Sequence, residues 1–185
     1  MGWSLCQGSN GGGQTGEPCV FSEGYDPYIT LPFDVSADNH LIVDYDIANM
    51  PTNMSVCGTA NGADGYMHLT DYGNALYMGT GAGEYVFGTG TAYLTGRHTF
   101  EFNRNGYIYF DNVQGSAITP VATAITIGGR GGYRFYGLIY SVEIKSNSTG
   151  DTLMKLVPDE QNGVVGFIDE VSGTFYQYGH RLLYS

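Results

Sequence analysis

Positive charge is what this chain has least of. Seven Lys and Arg stand against 18 Asp and Glu, for a formal net charge of −11. Binding to nucleic-acid phosphate needs clustered cations, so neither nucleic acid nor an anionic membrane surface is an expected partner. Cysteine is scarce too. Cys6, Cys19 and Cys57 cannot all pair within one chain, which leaves buried thiols, a Cys6–Cys19 bridge across a Gly-rich stretch, or a contact between chains. No apolar run approaches a membrane span, and residues 1–10, MGWSLCQGSN, lack a basic start and a signal-length apolar stretch. The expectation is a chain made in the cytosol without leader or anchor. Helical periodicity is missing as well. Without capped 3.6-residue repeats there are no crossover helices, and a parallel α/β sheet is excluded.

What is present is enough for one domain. With 185 residues, 42% of them hydrophobic, the chain can build one substantial core. Charged residues are only 14% while Gly numbers 29 and Tyr 16, so the surface is read as Tyr, Ser, Thr, Asn and Gly, a composition suited to extracellular contact or tight assembly. Residues 1–24, with GSNGGGQTGEPC, hold too little apolar content to pack alone and read as a Gly-rich N-terminal arm. Trp3 and Leu5 are its anchors, on a neighbouring subunit by preference or on its own domain. Residues 25–185 form the domain.

From Tyr25 onward the pattern is strand after strand. In HLIVDYDIA, Leu41, Val43, Tyr45 and Ile47 alternate with Ile42, Asp44 and Asp46, the period of a strand with one buried face. RHTFEFNRNGYIYFDN predicts a hairpin: His98, Phe100 and Phe102 share a face, Asn-Gly turns the chain, and Ile108 and Phe110 return inward. YITLPF, MSVCGTA, GYMHLT, ALYMG, EYVFG, TAITIGG, FYGLIYSVEIK and TLMKLVP are further strands, separated by turns such as NGADG, GTGAG and GGRGG. In FYGLIYSVEIK the alternation sets Leu138, Tyr140, Val142 and Ile144 against Ile139, Ser141, Glu143 and Lys145. The fold class is all-β, an antiparallel sandwich or barrel.

The closing residues carry a resemblance. Gly137, the YSVEI strand at 140–144, LVP at 156–158, a polar turn, and GFIDEVSGTFY at 166–176 follow the order G, YS-x-x-I, LVP, G-x-x-D-x-V-x-G-x-F-Y. That order resembles the concanavalin-A-like, laminin-G-like jelly-roll domains, most of all those of phage structural proteins and bacterial surface proteins. The resemblance spans about Tyr25 to Gly179 and implies a jelly-roll β-sandwich. It also implies that GVVGFID returns to the sandwich and that Phe175 and Tyr176 cover its open end. As to role it implies little, because the fold carries lectins, enzymes, adhesins and structural modules alike.

Catalytic constellations are not found. Glycosidases of this fold family pair carboxylates in a Glu-x-Asp-x-Glu type string, which is absent, and Asp44/Asp46, Asp159/Glu160 and Asp169/Glu170 have the wrong spacing or sit on turns. His40, His68, His98 and His180 are scattered singly, no Gly-x-Ser-x-Gly elbow occurs, and GTGAGE precedes no helix. No catalytic residue, resident metal or cofactor is assigned. Calcium is the one cofactor candidate, since laminin-G-like domains bind it at the rim; Asp44, Asp46, Asp64 and Asp71 are its weak ligand candidates, set against plain solvated acids. Glycan would meet aromatic platforms, and Tyr66, Tyr72, Tyr77, Tyr85 and Tyr133, in or beside Gly-rich turns, are the candidates, set against cross-strand packing. The sequons at Asn53 and Asn147 read as chance.

Two roles follow as expectations. The first is a non-enzymatic phage virion structural protein (a capsid decoration, head-fibre or tail-associated component) at the virion surface. It would be joined to other virion proteins through its arm, homo-oligomeric, with the lectin-like domain exposed to host-surface glycans. The alternative is a free-standing carbohydrate-binding module or adhesin, bacterial cell-surface or extracellular, with calcium as its candidate ion.

Overall fold

Period-two sequence becomes strand throughout the described residues. The computed structural model describes residues 20–23, 28–34, 36–47, 54–59, 68–72, 75–80, 83–89, 95–120, 123–130 and 133–178, with the backbone alone at 20–23, 68–72, 130 and 134. The strands are β1 (Val20–Glu23), β2 (Ile29–Asp34), β3 (Asn39–Ile47), β4 (Met54–Thr59), β5 (His68–Tyr72) and β6 (Ala75–Gly79). They continue with β7 (Glu84–Thr89), β8 (Gly96–Arg104), β9 (Tyr107–Phe110), β10 (Val113–Ala117), β11 (Ala124–Ile127) and β12 (Gly129–Arg130). The last are β13 (Tyr133–Arg134), β14 (Tyr136–Ser146), β15 (Thr152–Gln161), β16 (Val164–Asp169) and β17 (Phe175–Gln177). No helix occurs among the described residues. Trp3, Leu5, Cys6, Cys19, Asn53, Asp64, Tyr66 and His180 lie outside them.

Two sheets result. The larger runs β10-β9-β8-β3-β14-β15-β16-β17, with β1 against the first half of β14. The smaller runs β2-β11-β4-β5-β6-β7, and the β12–β13 hairpin joins it where Arg134 meets Met54 in a parallel bridge. All other pairings are antiparallel. Val20–Glu23, the end of the stretch read as an arm, is thus a strand of the larger sheet.

The inner faces share one core. Leu41, Val43, Tyr45 and Ile47 of β3 meet Phe100, Phe102, Ile108, Phe110, Phe135 and Phe167 and the smaller sheet's Met54, Cys57, Leu76, Met78, Ile125 and Ile127. Cys57 is a buried free thiol. The predicted hairpin is present, turned by Asn105 at φ 52 and Gly106 at φ 89, the two left-handed residues that a type I′ turn requires.

In β14 the predicted alternation is interrupted. Ile139, Val142 and Ile144 point inward and are fully buried, whereas Tyr140 does not, because a bulge between Ile139 and Ser141 adds a residue to β14 opposite β3. Phe175 and Tyr176 are joined by a third ring. Both are half-buried on the edge strand β17, Tyr176 packed against the core, and Tyr178 is buried, edge-on to Phe167 at 5.7 Å and against Gly128.

The D-x-V-x-G stretch is turn architecture. Asp169, 2% exposed, accepts from Lys155 N (2.9 Å), Val171 N (3.1 Å), Ser172 N (3.2 Å) and Ser172 Oγ (2.5 Å). Burial raises the proton affinity of this carboxyl, and the hydrogen bonds overcome that and hold it below the usual carboxylate range. Glu101 is also held low, by the His40 hydrogen bond acting against burial and with Arg104 in support, while burial pushes Asp46 the other way. A carboxylate depressed in the folded state stabilises fully above its unfolded value, near 4, and the contribution fades as pH falls through the folded value. Stability in urea should therefore hold from pH 7 to about 5 and fall below about 4. Asp169→Asn should cost about 1–3 kcal/mol at pH 7 and flatten that acid limb, and an unchanged limb would remove Asp169 from its cause.

Candidate functional face of the larger sheet

The tyrosines named from sequence do not form one platform. Tyr77 on β6 sits opposite Val86 of β7 and Thr70 of β5, on the outer face of the smaller sheet, where Val86 is 46% exposed. Tyr85, one residue before Val86, pairs with Met78 and packs edge-on to Phe87 at 5.9 Å, which in turn reaches Phe110 at 5.4 Å. It is the outer end of a run of rings leading into the core. Tyr72 ends β5, with only its backbone described, and Tyr133 is exposed on β13, across β4 from β5.

The acids are equally dispersed. Asp44 and Asp46 share the outer face of the larger sheet, whereas Asp71 belongs to β5 of the smaller one. Asp44 is held by Arg97, and among the described residues no group of three or more His, Cys, Asp or Glu is placed to hold a metal ion. His98 lies between Asp111 Oδ2 (2.7 Å) and the Thr95 carbonyl (3.2 Å), Asp169 is consumed by its turn, and Glu170 pairs with Lys155 at 2.6 Å. Asn147 of the second sequon gives its amide to the Asn103 carbonyl at 2.7 Å, so that amide is engaged in holding a turn.

What the fold does assemble is a pair of matching triads on the outer face of the larger sheet. In the first, Arg97 donates Nε to Asp44 Oδ1 at 2.9 Å and a terminal nitrogen to Oδ2 at 2.6 Å, and its guanidinium lies 3.9 Å from the centre of the Tyr140 ring. The bulge in β14 turns Tyr140 outward to receive it. In the second, Arg104 donates to Glu101 Oε1 at 3.2 Å and lies 4.8 Å over the Tyr109 ring. The second triad extends across four strands. His40 of β3 donates to Glu101 Oε2 at 2.7 Å, and the Tyr109 hydroxyl donates to Gln114 Oε1 of β10 at 3.0 Å. Tyr107, 38% exposed, stands two residues before Tyr109 on the same face, since Ile108 and Phe110 point inward.

Each triad sets a ring beside planar groups that donate and accept in one plane. Such a surface offers an aromatic face to an apolar ring and a fork of donors and acceptors to neighbouring hydroxyls. Arg97 and Arg104 are seven residues apart on β8, so the stacks stand roughly 20 Å apart at about 3.3 Å per residue. None of Arg97, Arg104, Tyr107, Tyr109, Gln114 or Tyr140 was marked as a site from sequence. The signal that could have marked the second triad is the Tyr-Ile-Tyr alternation after an Asn-Gly turn, which sends both tyrosines to the face opposite the core.

No protein-family profile matches the chain. No curated protein matches it either. Among solved structures it is similar to a candidate carbohydrate-binding protein of Bacteroides ovatus, with TM-score 0.56 and 14% identity, over 85% of this chain and 56% of that one. Mouse laminin α1 chain domains LG4-5 are matched with TM-score 0.49 and 16% identity, over 77% of this chain and 44% of that one. The chain thus spans about half the length of the solved chains it resembles. Its two antiparallel sheets make it a jelly-roll β-sandwich, a fold it shares with the first of these chains.

Proposed function

We propose that this chain is a carbohydrate-binding domain, without catalysis of its own, and that it binds through the outer face of the larger sheet. The observation that carries the reading is the second triad with its extension: Tyr107 and Tyr109 side by side, with Arg104, Glu101 and Gln114 arranged around them. The candidate carbohydrate-binding protein of Bacteroides ovatus, alike in fold, supports it. A surface-exposed setting, on a virion or a bacterial cell, with residues 1–19 making the contacts to neighbouring chains, is the context we propose for it. The low share of charge and high share of Tyr and Gly favour such a setting.

A glycan panel tests this directly. After a ligand is found, Tyr109→Ala and Tyr107→Ala should each weaken it about tenfold or more, the loss typical of an aromatic anchor. Tyr77→Ala, on the other sheet, should leave the affinity unchanged. Weakening by Tyr77→Ala with no effect at 107 and 109 would move the site to the smaller sheet.

A further inference from the structure

The charge on this face is internally cancelled, and that bears on what it can hold. Four Lys and Arg side chains are described; strand alternation puts Arg97, Lys145 and Lys155 on the outer face of the larger sheet, and the register irregularity between Glu101 and Arg104 turns Arg104 to the same face. Each one is matched to a carboxylate: Arg97 to Asp44 at 2.6 Å, Arg104 to Glu101 at 3.2 Å, Lys145 to Glu143 at 3.3 Å and Lys155 to Glu170 at 2.6 Å. Asp46 adds a further acid beside Arg97, and the whole chain carries −11. A sulfate, phosphate or uronate arriving here would have to displace a carboxylate from its cation, within a field that already repels it.

Resting on the carbohydrate-binding reading, we propose that the ligand of this face is an uncharged glycan and that sulfated and uronic polysaccharides are excluded. The arginines act as rigid planar donors, not as free charge. Their carboxylates fix the guanidinium planes over Tyr109 and Tyr140; the partly exposed Asp44 is left as an acceptor for sugar hydroxyls, while the buried Glu101 acts only through Arg104. Binding built this way depends little on salt, because no net ion pair forms between protein and ligand.

The test compares two sets of probes on the full chain by titration calorimetry and affinity electrophoresis. One set is neutral: gluco-, manno-, galacto- and xylo-oligosaccharides with their parent polysaccharides. The other is anionic: heparin, chondroitin sulfate and polygalacturonate. Binding to a neutral probe that changes by less than about twofold between 50 and 500 mM NaCl, with no retention by the anionic set, is the expected result. Saturable binding to an anionic probe that weakens steeply with salt would overturn the charge argument while leaving the carbohydrate reading intact. Silence from both sets would overturn the carbohydrate reading and this proposal with it.

Discussion

Replacing Asn103 by aspartate should unfold much of the domain's stability at neutral pH. Asn103 is 1% exposed and left-handed at φ 66, and its amide nitrogen faces three carbonyls: Ser36 O at 2.7 Å, Ala37 O at 3.1 Å and Asn39 O at 3.0 Å. Its own carbonyl accepts from Asn147 Nδ2, and Asn147 Oδ1 accepts from Asn105 N, so one residue ties the β2–β3 connection to the β8–β9 hairpin and the β14–β15 turn. A carboxylate there would turn two negative oxygens toward three acceptors, with no donor between them. The expected loss is about 3–5 kcal/mol, the range for an uncompensated buried charge, against a total of roughly 5–15 for a typical domain. Urea denaturation at pH 7 measures it. Asn103→Ala should lose less, about 1–3 kcal/mol, since it orphans the carbonyls without adding charge. Below about pH 4 the aspartate variant should recover toward the alanine one, because a protonated carboxyl again supplies a donor. An aspartate variant within about 1 kcal/mol of wild type would mean that the cage opens to water at little cost.

The second large effect is at two glycines of the closing motif. At Gly166 an added Cβ would run into the Tyr176 carbonyl oxygen and the Phe175 ring, and at Gly137 into the Asp46 carbonyl oxygen and the Phe135 ring. Both obstacles include the backbone of a paired neighbouring strand, which cannot swing away as a side-chain end can. Gly137→Ala and Gly166→Ala should each cost about 3 kcal/mol, near the upper end for overpacking. Gly137→Ala carries the wider consequence, because it displaces β14 from β3 beside the residues that set Tyr140 under Arg97. Thermal unfolding of the two variants, with the Arg97 stack followed by near-ultraviolet dichroism, separates loss of stability from loss of the surface.

These two sites also show what could be read before the structure. The alternation in β3 and the β8–β9 hairpin were plain, because the inward positions there are apolar apart from His98 and the Asn-Gly turn marks the hairpin. The break in β14 was hidden because a bulge has no signature in period-two counting: Leu138 and Tyr140 stay in step with Val142 until one extra residue is inserted. Strand β10 was not expected, since VQGSA carries no alternating apolar set. The functional face was hidden for a different reason. Sequence pattern singles out tyrosines beside Gly-rich turns, whereas the rings that gather with planar partners lie within strands, Tyr109 opposite core residues and Tyr140 at a bulge. Arg104 reaches Tyr109 across the hairpin, and Arg97 reaches Asp44 and Tyr140 on two other strands, one of them bulged. Those meetings depend on sheet order, which sequence pattern alone does not determine.

The place of β3 at the centre of the larger sheet has a consequence in time. Its two neighbours, β8 and β14, are supplied by the middle of the chain and by its last third, so Val43 waits for both Phe100 and Val142. During synthesis β3 emerges early, and one of its hydrogen-bonding edges stays unpaired until β14 has left the ribosome. Closing such long loops before any contact rewards it makes folding slow, in the range of milliseconds to seconds for sandwiches of this kind, and leaves Leu41, Val43, Tyr45 and Ile47 open to wrong partners meanwhile. The acidic, lightly apolar surface that shapes ligand choice in the finished domain would then serve a second purpose, keeping half-made chains apart by mutual repulsion while the central strand is still bare.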